Sequence, residues 1–199
     1  TVGPFFHYGL PWKGGADLIG QSDAGARPEL FPPEHYVLGR GERDCAPEGE
    51  RIEVRGIVRD AAGDAVSDAM IEIWQADAQG RYPQSDCGQA DAEFCGFGRS
   101  STTDDGEFRF YTIMPGRVAG PDGSKQARHI AVSVFARGVL VRLATRLYFR
   151  DDDGLADDPV LAHVPADRRH TLIAQPSGDG IWQFDIALGG DDETVFFDL

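Results

Sequence analysis

One pattern constrains the fold of this chain more than any other. Apolar residues alternate with polar ones at period two, and the runs stop at glycine, proline or aspartate. Arg51-Ile52-Glu53-Val54-Arg55-Gly56-Ile57-Val58 is the clearest run. On an extended chain it places the apolar side chains on one face, so it reads as a half-buried strand. Asp60-Ala61-Ala62-Gly63-Asp64 then reads as a turn. Ala69–Trp74, Glu107–Thr112, His129–Phe135, Val139–Phe149, Thr171–Ala174 and Ile181–Leu188 read as further strands. Turns are expected at Asp104-Asp105-Gly106, Pro115-Gly116 and Arg137-Gly138. Helical periodicity is almost absent. Asp158–His163 reads as one short helix, with Asp158 as cap and Pro159 at the first helical position. Many short strands between turn signals predict a mainly β chain. Its core is a two-sheet β-sandwich with long loops, an N-terminal arm and little helix.

Residues 1–50 lack this alternation. Proline, glycine and aromatic residues are scattered through Pro4-Phe5-Phe6, Pro11-Trp12 and Phe31-Pro32-Pro33. Such an arm needs a surface to lie on, its own core or another chain. The expected division is an arm over 1–50, making subunit contacts, and a sandwich domain over 51–199. Two irregular stretches interrupt the sandwich, from Asp77 to about Thr102 and from 117 to 127. Loops of that length inside a compact domain are often functional. The apolar tail Thr194-Val195-Phe196-Phe197 is expected to pack on something.

The totals exclude several classes. The 199 residues carry 33 acids and 19 bases, a net charge of −14. A nucleic-acid partner needs a basic surface, which this composition does not supply. No apolar run approaches the roughly 20 residues of a membrane helix. No basic-then-apolar leader follows Thr1. The three cysteines, Cys45, Cys87 and Cys95, form no Cys-x-x-Cys pair. They read as reduced thiols of a cytoplasmic protein, with a Cys87–Cys95 loop disulfide as the alternative.

Five short strings carry the chemistry. They are Trp74-Gln75-Ala76-Asp77-Ala78-Gln79-Gly80-Arg81-Tyr82, Gly98-Arg99, Thr103-Asp104-Asp105-Gly106, Thr112-Ile113-Met114-Pro115-Gly116 and Ala127-Arg128-His129-Ile130-Ala131. In this order and spacing they resemble the core of the intradiol ring-cleaving dioxygenases. That family holds a ferric ion with two tyrosines and two histidines. A His-x-His pair on a strand aims both rings at one face, but here Ala131 stands where the second histidine belongs. The resemblance places one ligand tyrosine after the Pro-Gly turn, where this chain has Arg117 and Val118. It places the other in the loop after Tyr82, and no tyrosine lies between Pro83 and Arg99. It also places an arginine near Gln126. A lone imidazole does not hold ferric iron, which wants several hard oxygen and imidazole donors. His129 therefore reads as a hydrogen-bonded histidine at a strand start. His7, His35, His163 and His170 are too dispersed to form a metal set. Trp74 and Tyr82 read as core anchors.

Over about residues 50–199 the likeness is to the iron-free, α-type chain of family members built from two homologous chains. The strings are Thr1-Val2-Gly3-Pro4, Phe135-Ala136-Arg137-Gly138, Thr145-Arg146-Leu147-Tyr148-Phe149, Thr171-Leu172-Ile173-Ala174 and Glu193-Thr194-Val195-Phe196-Phe197-Asp198. The resemblance implies a homologous iron-bearing β-type partner, a higher αβ oligomer, and Fe(III) held by that partner rather than by this chain. It implies cleavage of protocatechuate (3,4-dihydroxybenzoate) by O2 between the two hydroxyls, giving 3-carboxy-cis,cis-muconate. No catalytic residue is expected here. Arg137 is the expected substrate contact, because a guanidinium fork matches a carboxylate. Gly138 lets the backbone turn beside it. Thr1, Gly3 and Pro4 are expected to line the mouth of the partner's pocket. The competing reading is a non-catalytic binding module resembling transthyretin-like sandwiches.

Overall fold

A computed structural model describes residues 14–20, 22, 24, 47–83, 94–120 and 123–198. Nine strands follow in chain order. They are β1 (Arg51–Arg59), β2 (Met70–Trp74), β3 (Phe97–Ser101), β4 (Glu107–Ile113), β5 (His129–Phe135), β6 (Leu143–Phe149), β7 (Ile173–Gly178), β8 (Ile181–Gln183) and β9 (Ile186–Ala187). The hydrogen-bonded order is β3-β2-β5-β6-β7-β8-β1-β4, with β9 beside β1. The path folds into two layers at β7. Ile173 and Ala174 pair with β6 in one sheet, while Gln175, Pro176 and Gly178 pair with β8 in the other. A register shift between Pro176 and Gly178 marks the bend. The predicted two-sheet sandwich is what forms.

The alternation of β1 fixes which face is covered. Ile52, Val54 and Val58 point inward, with Arg51 and Arg59 exposed at the ends. They meet Ile71 and Ile73 of β2, Phe110 of β4, and Ile130 and Val132 of β5. Each such side chain contributes about 1.5–3 kcal/mol on burial. Phe149 of β6 and Trp182 of β8 lock edge to face across the layers, with centroids 5.0 Å apart. Strand β6 is covered on both faces. Leu147 and Phe149 enter the main core, whereas Tyr148 faces a second cluster with Leu161, Val164 and Leu172. The tail packs on that cluster through Val195 and Phe197.

The two free ends of the strand path are joined by residues 15–18. Arg99 of β3 donates its backbone N–H to the Gly15 carbonyl at 2.7 Å. Tyr111 of β4 donates to Ala16 at 2.8 Å, and Leu18 donates to the Tyr111 carbonyl at 2.8 Å. Leu18 is fully buried. This part of the N-terminal stretch is thus built into the sandwich and covers both sheet edges.

Several expectations change. The stretch read as loop up to Thr102 contains β3. Strand β6 begins at Leu143, so Val139–Arg142 belong to the preceding turn. The helix expected from Asp158 is a single 3-10 turn, Leu161–His163. The cap position is Val160 and the first helical residue Leu161, so Asp158 and Pro159 precede the turn. Asp158 still accepts the N–H groups of Val160 at 3.0 Å and Leu161 at 2.7 Å. The start of the run from Thr171 is also 3-10. The run from Ile181 is cut at Phe184-Asp185 into β8 and β9. Cys95 is held in a disulfide, which overturns the reading of three reduced thiols. Cys45 and Cys87 lie outside the described residues.

Candidate functional site

Strand register assembles the remnant of the metal position. Ala131 of β5 is directly opposite Trp74 of β2 on one side and Arg146 of β6 on the other. His129 is directly opposite Tyr148. Residues paired across a ladder share a face, so Trp74, His129, Arg146 and Tyr148 surround Ala131 on the side away from the inter-sheet core.

His129 is buried and both its ring nitrogens are engaged. Nδ1–H donates to the Ala127 carbonyl at 2.8 Å. That leaves Nε2 to accept from the Tyr82 hydroxyl at 3.4 Å, a long bond. Burial pushes the His129 pKa below its ordinary value. The Ala127 bond opposes this, and the Arg146 charge adds to the lowering. The ring is therefore the neutral, hydrogen-bonded histidine expected from its place at the strand start. Tyr82 stacks on Trp74 at 5.9 Å with planes 6° apart. Trp74 is 36% exposed, so this pair lies at the surface and does not anchor the core. Burial raises the Tyr82 pKa, with Arg146 pulling against it. Tyr148 is raised further, by burial and then by Asp158. Its hydroxyl donates to Asp158 Oδ1 at 3.1 Å.

Arg117 follows the Pro-Gly turn and points at the 152–154 turn. Its Nη2 lies 2.5 Å and its Nε 3.2 Å from Asp152 Oδ1, and it also pairs with Asp153. Asp152 is buried and additionally accepts the N–H groups of Gly154 at 2.7 Å and Arg128 at 3.0 Å. Burial alone would raise the Asp152 pKa. The bonds from Arg117, Gly154 and Arg128 outweigh it and hold the carboxyl below its ordinary value.

A ferric ion needs several deprotonated donors. Here the imidazole is committed at both nitrogens, both phenols resist ionisation, and a guanidinium stands beside them. Among the described residues no three His, Cys, Asp or Glu side chains converge on a point. The residues present do not fit ferric iron.

The sequence-predicted contacts lie elsewhere. Arg137 sits in the β5–β6 turn, at the end of β5 opposite to His129. Its side chain is 71% exposed, with Nε 2.9 Å from Asp68 Oδ2. Gly138 takes φ +84° beside it. Leu140 and Val141 follow, 75% and 69% exposed. Thr1, Gly3 and Pro4 lie outside the described residues. Sequence reasoning missed the roles of Arg146, Tyr148, Asp152 and Asp158. Period two puts Arg146 and Tyr148 on one face of β6, but only the strand register sets that face beside Ala131 and His129. A cleft of about 700 Å3 opens beside β1 and β4, lined by Arg55, Arg109, Tyr111 and Gln183 and not by His129 or Arg137.

A sandwich with this remnant on β5 defines an oxygenase-like scaffold whose residues at that position do not fit a metal. A sequence profile described as Dioxygenase matches residues 36–184, and the chain belongs to this dioxygenase family. Membership displaces the reading of a transthyretin-like binding module. The chain is 42% identical over 208 residues to the protocatechuate 3,4-dioxygenase alpha chain of Burkholderia cepacia, covering 100% of this chain and 95% of that one. It is 37% identical over 181 residues to the beta chain from the same organism, covering 83% and 76%. Among solved structures it is similar to the dioxygenase domain of a dioxygenase–carbohydrate-binding fusion protein from Streptomyces sp. SirexAA-E. The identity is 28% and the TM-score 0.57, over 72% of this chain and 82% of that one.

Proposed function

We propose that this chain is the iron-free α subunit of a protocatechuate 3,4-dioxygenase, working with a homologous iron-bearing β subunit in an αβ oligomer. The observation that carries this reading is its full-length likeness to a chain named as such an alpha chain. The unfit remnant around Ala131 supports it. The partner's ferric ion supplies the ring-opening chemistry with O2, converting 3,4-dihydroxybenzoate to 3-carboxy-cis,cis-muconate. This chain's part is binding. Arg137, exposed in its turn and paired with Asp68, exchanges that partner for a substrate carboxylate, and Thr1, Gly3 and Pro4 line the pocket mouth.

The test has two arms. The purified chain alone should contain no stoichiometric iron and cleave nothing, and adding the iron-bearing chain should restore ring cleavage. Iron bound by this chain alone sinks the reading. In the assembled enzyme, Arg137→Ala should raise KM for protocatechuate about tenfold to a hundredfold, from loss of about 1.5–3 kcal/mol in a charge-assisted bond. KM for plain catechol, which lacks the carboxylate, should change far less. Equal effects on both substrates mean that Arg137 does not read the carboxylate.

A further inference from the structure

The remnant site lacks donors, and it also carries a charge. Arg146 is the register partner of Ala131, so their Cβ atoms are about 4.5–5.5 Å apart. Alanine is much smaller than an imidazole and leaves room for a longer neighbour. The long arginine side chain beside it is half-buried. Its Nη1 donates to Gln126 Oε1 at 2.7 Å, which ties it to the segment leading into β5. The positive charge of Arg146 also acts on Tyr82, His129 and Tyr148, the three groups left around the position.

We infer that Arg146 is a built-in cation of the remnant site, filling the space beside Ala131 and repelling metal ions from it. Guanidinium suits this role because it is a planar, delocalised cation that is weakly hydrated and so tolerates partial burial. Like charges a few ångströms apart in a half-buried site repel far more strongly than in water. Loss of metal here is then a matter of charge as well as of missing ligands. Putting one ligand back is not enough to recover affinity. This inference rests on the proposal that the chain binds no iron itself.

Ala131→His, in the full-length chain, creates a His-x-His pair with His129 on one strand face. Such a pair is a general site for Zn(II) and Ni(II). Calorimetric titration with either ion, after subtracting wild-type binding, reads the effect. Ala131→His alone should bind within about threefold of wild type. Ala131→His with Arg146→Gln should bind at least tenfold tighter than Ala131→His alone. Ala131→His with Arg146→Lys, which keeps a cation, should behave like Ala131→His. The inference is overturned if Ala131→His alone binds as tightly as the Gln double variant, or if the Gln double variant gains nothing. Circular dichroism checks folding. If the histidine variants do not fold, Ala131→Cys, a smaller ligand, replaces Ala131→His throughout with the same expectations. Stoichiometric iron in the wild-type chain would instead overturn the proposed function, so the two failures are distinguishable.

Discussion

Asp152 is a buried carboxylate on which three segments converge. Arg117 reaches it from the Pro-Gly turn, Arg128 from the approach to β5, and Gly154 from its own turn. Asp152→Ala leaves the N–H groups of Arg128 and Gly154 without their acceptor and removes one carboxylate partner from the guanidinium of Arg117, which keeps Asp153. The expected cost is about 2–3 kcal/mol, set by unsatisfied donors rather than by the ion pair, since Arg117 is partly exposed. For a chain of this size that lowers the melting temperature by roughly 4–12 °C. His129 gives a pH prediction. Its folded pKa is depressed, so below about pH 6.5 the unfolded chain takes up a proton that the folded chain refuses. The unfolded state then binds more protons, and stability falls as pH drops through this window. Asp152 is depressed too. Its unfolded form protonates first, which adds a second loss below about pH 3.9. The melting-temperature gap between wild type and His129→Gln should narrow as pH falls from 7.5 to 5. A gap that stays constant would mean that His129 is not held neutral.

Elements succeed or fail by what lies across from them. In the middle of β1, Gly56 passes against the backbone of Phe184. A Cβ there would sit 1.8 Å from the Phe184 carbonyl oxygen, and backbone cannot yield as a side-chain tip does. Gly56→Ala should therefore cost more than the about 1–3 kcal/mol of ordinary overpacking, seen as a lower urea midpoint. β1 was legible from sequence because its alternation continues up to the turn at Asp60. β3 was not. Its inward residues are Gly98 and Ser100, and Leu18, from a distant part of the chain, supplies the missing apolar cover. Val139–Arg142 misled in the other direction. They are apolar enough to read as strand, yet Leu140 and Val141 stand in solvent. The site divided in the same way. A lone His129 and the absent tyrosines can be read along the chain. The apposition of Arg146 and Ala131 depends on register between strands, which no local pattern states.

At the scale of the whole molecule, the sandwich is closed on two sides. β7 passes from one sheet to the other, and residues 15–18 span the opposite gap. Deleting residues 1–19 should remove the burial of Leu18, about 1.5–3 kcal/mol, and uncover the edges of β3 and β4. Exposed edges pair with other copies. The truncated chain should melt earlier and run as larger species by size-exclusion chromatography. A truncated chain as stable and monodisperse as the full one would show that the span is dispensable.

That closure also orders events on the ribosome. Residues 15–18 leave the exit tunnel before either strand they join, and β4 is made last of the three. Until Tyr111 has emerged, Leu18 has no place to be buried and its N–H no carbonyl to meet. Synthesis runs from one end to the other, but this seam is sewn with thread that emerged well before the edges it joins.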